Sequence, residues 1–247
     1  MMPPSPHRRA LLAAGLALAA AGPRSAMAAA SVQTFPIWPG RPPGGEGLEV
    51  RDVVVKRSPT GPDDDVAWPH VATPTLTVTP AVGRPTGAAM LLLPGGGYAR
   101  VALRNGGSDI ARQLAARGIA AFDLRYRLPH DGWKAGPDAP LQDAQRAMRL
   151  IRSRAAQWGV DPARVGALGA SAGGHLGARL GSRAGLATYA AVDAADAVSA
   201  APRVLGLFFP VVALSGPTAH AQSRAELLGP TPAEARAQAL ALSLIHI

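Results

Sequence analysis

One serine of this sequence lies between small residues, in the stretch GASAGG at positions 169–174. A short apolar run before it predicts a buried strand, and the residues after it predict a helix. Glycine two residues before and two residues after a serine is typical of a sharp strand-to-helix turn that exposes the hydroxyl. We interpret Ser171 as a nucleophile and Gly169 and Gly173 as the glycines that permit the turn. The alternative is a tight turn that holds a serine without chemistry.

A second glycine cluster, PGGGY at positions 94–98, follows another apolar run. The tetrahedral intermediate of acyl transfer carries an oxyanion that needs two or more N–H donors. The loop could aim backbone N–H groups at the carbonyl that Ser171 attacks, and the N–H of Ala172 lies where a helix dipole favours negative charge. A flexible loop and a phosphate-binding loop are the alternatives, but the Gly-Lys-Ser/Thr ending of a phosphate loop is not present.

The surrounding pattern alternates strands and helices from residue 88 onward, with Pro59–Pro74 predicted as a loop. This alternation predicts a single α/β domain with a mostly parallel sheet and helices on both faces. The predicted strands are 48–55, 75–79, 88–93, 119–126, 165–168 and 204–212, and the predicted helices are 108–117, 141–158 and 172–180.

Four motifs in this order resemble the α/β-hydrolases: LPGGGY at 93–98, DLRYRL at 123–128, GVDPARV at 159–165 and GASAGGHL at 169–176. Within that superfamily the chain is most similar to secreted carboxylesterases related to acetylxylan esterases and to bacterial feruloyl esterase-like (BD-FAE-like) proteins. The resemblance extends from about residue 53 to about residue 229. It implies an α/β-hydrolase fold, Ser171 as the nucleophile, and the N–H groups of Gly96, Gly97 and Ala172 as oxyanion donors. Pro94 departs from relatives similar to hormone-sensitive lipase, which carry histidine there.

A serine nucleophile also needs a histidine base and a carboxylate that orients it, and in this fold the acid and then the histidine follow the serine. The sequence ends before the strands that should carry them. We expect His175 to pack against the sheet, while His220, Asp193 and Asp196 come too early in the chain. His246 lies in the terminal segment LSLIHI and is not offered as the catalytic histidine.

That terminal segment, residues 242–247, corresponds codon by codon to a transposase end sequence used in sequencing adapters. We therefore expect a truncated gene, in which residues 48–241 form a partial domain whose last strands are missing. A coincidental apolar tail is the alternative. Residues 29–247 expressed alone should then expose the apolar edge of strand 204–212, be insoluble or molten, and hydrolyse no ester.

The N-terminus has the features of an export signal. A basic pair at positions 8–9, an apolar run to residue 21 and an AMA cleavage signal predict a signal peptide at residues 1–28, with a loose twin-arginine match. A proline- and glycine-rich lead-in follows at residues 29–47. We expect a periplasmic or secreted protein without stable membrane association after cleavage. The net charge of +9 comes from scattered arginines, which argues against a nucleic-acid partner.

No cofactor and no metal are expected from the sequence. The chain has no cysteine, and the acidic run at 63–65 lacks the alternating ligand pattern of a calcium loop. The function expected is an exported serine esterase that hydrolyses short, acetyl-like acyl esters of a small molecule or a plant polysaccharide. A peptidase of the same fold and a non-catalytic binding module are the alternatives. The sequence does not determine the acyl group, the alcohol or the oligomeric state.

Overall fold

A computed structural model describes residues 31–240. The predicted signal peptide at 1–28 and the suspect tail at 242–247 lie outside the described residues, and both remain predictions. The strands are β1 (Gln33–Pro36), β2 (Val53–Lys56), β3 (Val66–His70), β4 (Thr75–Thr79), β5 (Ala89–Leu93), β6 (Val101–Ala102), β7 (Ala120–Arg125), β8 (Val165–Ala170) and β9 (Leu205–Phe208). The helices are α1 (Asp109–Ala115), α2 (Ala139–Ser153), α3 (Ala172–Arg183), α4 (Ala221–Leu228) and α5 (Glu234–Leu240).

A six-stranded sheet in the order β1-β4-β7-β5-β8-β9 forms the centre of the fold. Strands β7, β5, β8 and β9 run parallel, so their carboxyl ends meet at one edge, while β4 and β1 are antiparallel to their neighbours. A smaller antiparallel sheet, β2-β3-β6, lies beside it. This confirms the predicted mostly parallel sheet and places the loops after β5 and β8 at the same edge.

Both faces of β5 are buried, as its uninterrupted apolar sequence predicts. Leu91 and Leu93 belong to the main core, which also includes the apolar faces of α2 and α3. Leu92 points to the opposite face and packs in a second cluster with Ala111 of α1. Helices therefore cover the sheet on both sides.

Residues 31–47 of the predicted lead-in are part of the domain. β1 pairs with β4, and Trp38 is buried. The Trp38 Nε1–H donates to Asp143 Oδ1 at 2.8 Å, and Asp143 also forms an ion pair with the fully buried Arg127. Periodicity did not predict that this segment belongs to the domain, because its packing depends on contacts with α2, more than a hundred residues later in the chain.

Two other predictions need correction. The predicted loop at 59–74 contains β3, which its partners β2 and β6 stabilise through pairing. The predicted strand at 204–212 ends at Phe208, because Phe209 adopts a left-handed φ of 34° and proline follows. Helices α4 and α5 had no predicted counterpart. No helix among residues 31–240 is long and apolar enough to cross a membrane.

Candidate active site

Ser171 occupies the turn between β8 and α3, with φ 55° and ψ −121°. A non-glycine residue in the left-handed region is uncommon and costs conformational energy, so neighbouring contacts must hold it. A Cβ atom at position 169 would lie 2.1 Å from the Gly173 carbonyl oxygen, and one at position 173 would lie 1.9 Å from the Leu93 carbonyl oxygen. Glycine is therefore required on both sides of Ser171 for steric reasons.

Backbone hydrogen bonds hold Ser171 in this conformation. Its N–H donates to Phe208 O at 3.0 Å, and its carbonyl accepts from His175 N at 3.1 Å and Val211 N at 3.2 Å. These bonds join the turn to α3 and to the residues at the end of β9. The side chain is half-buried, and its hydroxyl has no hydrogen-bond partner within residues 31–240. The turn therefore fixes the position of a hydroxyl that hydrogen-bonds to none of the described residues.

The glycine loop after β5 lies directly against this turn. A Cβ atom at Gly95 would be 3.2 Å from the Ser171 Cβ and 2.9 Å from the Ala170 carbonyl oxygen. Gly96 and Gly97 have φ values of 142° and 65°, which favour glycine. In the described part of the chain their N–H groups have no protein acceptor. Together with Ala172, the first residue of α3, the loop offers backbone donors beside the serine.

A buried hydrogen bond connects the glycine loop to α3. The Tyr98 hydroxyl lies 2.7 Å from His175 Nδ1, and His175 Nε2 lies 2.8 Å from the Leu240 carbonyl oxygen. Nε2–H therefore donates to Leu240, and Nδ1 accepts from Tyr98. Burial lowers the pKa of His175 to about 4. His175 is neutral and fully bonded, which agrees with the prediction that it packs inside the fold.

The other polar residues considered as triad partners have structural roles. His220 caps α4, where its Nδ1 accepts from Ser223 N at 3.2 Å. Asp193 and Asp196 both pair with the buried Arg146, and the hydrogen bond from Arg146 lowers the pKa of Asp193. Within residues 31–240, none of the three hydrogen-bonds to Ser171.

The sequence analysis missed two features, one at the serine site and one outside it. Gln222 of α4 lies over the glycine loop, since a Cβ at Gly97 would be 3.2 Å from its Oε1. A second group, His70, His130 and Asp131, forms a possible metal-binding cluster, although the sequence predicted no metal site. No local sequence pattern indicated either feature. Helix α4 was not predicted, and His70 and Asp131 are 61 positions apart in the chain.

Comparison with known sequences agrees with this fold. Residues 79–241 match the BD-FAE family model. Over 145 residues, 59% of the chain, the sequence is 30% identical to an acetylxylan esterase of Xylanibacter ruminicola, of which the match covers 27%. A match of the same length is 32% identical to endo-1,4-beta-xylanase B of Butyrivibrio fibrisolvens and covers 22% of it. The chain thus spans about a quarter of the length of these curated relatives.

Two solved structures are also similar. The acetyl ester-xyloside bifunctional hydrolase of Caldicellulosiruptor lactoaceticus has a TM-score of 0.63 and 28% identity, covering 84% of this chain and 67% of that one. Thermogutta terrifontis esterase 2 phosphonylated by sarin has a TM-score of 0.51 and 25% identity, covering 77% and 66%. The family match over residues 79–241, together with the mostly parallel sheet, shows that this chain belongs to the BD-FAE family and has an α/β-hydrolase fold.

Proposed function

We propose that this chain is part of an exported serine esterase that hydrolyses short acyl esters, with acetyl groups on plant polysaccharide as the favoured substrate. The contact between the two glycine clusters carries the proposal, because Gly95 lies against Ser171. A hydroxyl held at a strained turn beside unengaged backbone donors suits nucleophilic acyl transfer. The acetylxylan esterase relative supports the choice of acyl group.

In the proposed mechanism, Ser171 Oγ forms a bond to the acyl carbon while its proton passes to a histidine base. The carbonyl oxygen becomes an oxyanion, which accepts hydrogen bonds from the N–H groups of Gly96, Gly97 and Ala172. The alcohol leaves with a proton from the same histidine. Water then attacks the acyl-enzyme and releases the acid. Removing one such oxyanion donor typically costs a factor of about 10²–10³ in rate.

The proposal assigns the base and its carboxylate to the sequence that follows residue 241 in the complete gene. His175 is engaged on both ring nitrogens and His220 caps a helix, so neither suits the role of base. Export rests on the predicted signal peptide at 1–28. No cofactor or metal takes part in the proposed reaction.

The test begins with the genomic sequence downstream of codon 240. If an acid and then a histidine are encoded there, the longer product should hydrolyse 4-nitrophenyl acetate and release acetate from acetylated xylan. Ser171→Ala should lower the rate by at least a thousandfold, whereas Ser182→Ala on α3 should leave it unchanged. Equal rates for the wild type and Ser171→Ala would refute the proposed role of Ser171.

A non-catalytic binding module is the second candidate, because within residues 31–240 no histidine side chain hydrogen-bonds to the Ser171 hydroxyl. An organophosphonate probe separates the two, and the phosphonylated esterase of Thermogutta terrifontis motivates its choice. An esterase should be labelled at one site per chain, and Ser171→Ala should abolish the labelling. A stop codon directly after residue 240 and an unlabelled protein that binds acetylated xylan would favour the binding module.

A further inference from the structure

Two histidines and an aspartate meet outside the serine site. His70 is the last residue of β3, and His130 and Asp131 lie in a 3-10 turn that follows β7. His70 Nδ1 is 2.6 Å from Asp131 Oδ1, and His130 Nε2 is 3.7 Å from the same oxygen. One potential ligand atom from each residue lies within 4.8 Å of the other two.

Both ring nitrogens of His130 face oxygen atoms. Its Nε2 lies 2.9 Å from the Pro69 carbonyl oxygen, and its Nδ1 lies 3.0 Å from Glu226 Oε2. Both oxygens only accept hydrogen bonds, whereas a neutral imidazole carries a single N–H. One ring nitrogen would therefore direct its lone pair at an oxygen. A metal ion bound at Nε2 would remove this mismatch and leave the N–H on Nδ1, facing Glu226.

We propose that this cluster binds a divalent transition metal of the Zn²⁺ class through His70 Nδ1, His130 Nε2 and Asp131 Oδ1. Two imidazole nitrogens and one carboxylate oxygen suit zinc better than calcium or magnesium, which prefer oxygen ligands. Binding replaces the hydrogen bond between His70 and Asp131, and His70 binds the ion as the neutral tautomer that carries its proton on Nε2. The N–H at His130 Nδ1 donates to Glu226, a carboxylate–histidine–metal arrangement common in zinc sites.

The carboxylate ligand is already held in place. The Asp131 side chain is only 1% exposed, and its Oδ2 accepts a hydrogen bond from Val71 N at 3.1 Å. The side chains of His70 and His130 are 49% and 26% exposed, so a metal ion can enter from solvent and retain a water ligand. A cavity of about 580 Å³ lined by His130 and Glu226 adjoins the cluster.

The proposed ion would stabilise the position of α4. Glu226 and Gln222 are one turn apart on this helix, and Gln222 contacts the glycine loop at Gly97. Metal binding would join β3, the turn after β7 and, through His130, the α4 helix. This structural role does not depend on the proposed esterase activity, and its test needs no substrate.

Isothermal titration of the EDTA-treated longer product of the complete gene with ZnCl₂ tests the proposal. We expect one ion per chain and a rise in Tm of about 5–10 °C at a hundredfold excess of metal over Kd. His70→Gln and His130→Gln should each weaken binding at least tenfold, and Glu226→Gln should weaken it about tenfold. The control His220→Asn keeps a helix-capping side chain and should bind as the wild type does. CoCl₂ should produce visible absorption bands that both histidine variants lose.

Three results would overturn the proposal. They are wild-type affinity in both His70→Gln and His130→Gln, equal loss in His220→Asn, and binding of several ions without saturation at one per chain. Thermal unfolding of each variant in EDTA separates lost binding from lost folding. A variant that unfolds at the wild-type temperature without metal, yet gains no stability from zinc, supports the assignment.

Discussion

The Tyr98 hydroxyl lies 2.7 Å from His175 Nδ1, and both side chains are completely buried. Tyr98 belongs to the glycine loop and His175 to α3, so this bond ties the loop to the helix that Ser171 precedes. The rings also meet edge to face, with centroids 5.8 Å apart. Tyr98 has a left-handed φ of 61°, and these contacts hold it there.

Tyr98→Phe should lower the free energy of unfolding by about 1–3 kcal/mol, because His175 Nδ1 loses its donor in a site that water does not reach. Urea unfolding followed by circular dichroism measures the change. Thr34→Val removes an exposed hydrogen bond to Thr77 and should change stability by less than about 0.5 kcal/mol. Equal stability of Tyr98→Phe and the wild type would show that the buried bond contributes nothing.

Stability should fall on acidification because His175 is buried in its neutral form. Burial lowers its pKa from 6.5 to about 4, so between these values the unfolded chain binds the proton that the folded chain excludes. Protonation of His175 does not affect the free energy of unfolding above pH 6.5. As the pH falls from 6.5 toward 4, it lowers that free energy by about 3 kcal/mol. His175→Gln should have a smaller loss than the wild type over this window in urea unfolding at several pH values. Parallel pH profiles would contradict this prediction.

Gly173→Ala should prevent the turn at Ser171 from forming as described. The added Cβ would approach the Leu93 carbonyl oxygen to 1.9 Å and the Pro94 carbonyl oxygen to 2.6 Å, which are backbone atoms at the end of β5 and the start of the glycine loop. We expect a loss of about 3 kcal/mol or more and a lower Tm by differential scanning calorimetry. Gly185→Ala is the matched control, since its Cβ would meet no atom within 4 Å, and its Tm should stay near that of the wild type. A Gly173→Ala protein with an unchanged Tm would argue against this packing.

Asp123→Asn should stabilise the protein at alkaline pH. Asp123 lies at the carboxyl-terminal half of β7, its Oδ1 has no partner in the described residues, and burial raises its pKa to about 7. The folded chain therefore holds a proton that the unfolded chain releases between pH 3.8 and 7, and stability declines across that window. The gain from Asp123→Asn should be small below pH 4 and reach about 2–4 kcal/mol above pH 7.

The pH dependence of the gain distinguishes this effect from simple repacking. Asp63→Asn serves as the control, because Asp63 is exposed and its ion pair with Lys56 contributes little. Thermal unfolding at pH 4, 6 and 8 suffices. An Asp123→Asn gain that is the same at all three values would contradict the assignment of a buried, protonated carboxyl group.

The sequence by itself predicted the parallel strands of the central sheet and the positions of the two glycine clusters. The apolar run before Pro94 predicted β5, and the small residues on either side of Ser171 predicted the β8–α3 turn, which the structure has. These signals are local, since burial on both faces of a strand and the crowding of a sharp turn each restrict the residue types at neighbouring positions. The BD-FAE resemblance followed from the same motifs.

Only the tertiary structure decided which distant residues meet. Trp38 belongs to the core because Asp143 accepts its N–H, and His70 lies against Asp131 because β3 joins the second sheet. Gln222 reaches Gly97 from a helix whose weak periodicity had given no signal. Such contacts depend on how helices and strands pack against each other rather than on neighbouring residues in the chain. They therefore cannot be predicted from a short stretch of sequence.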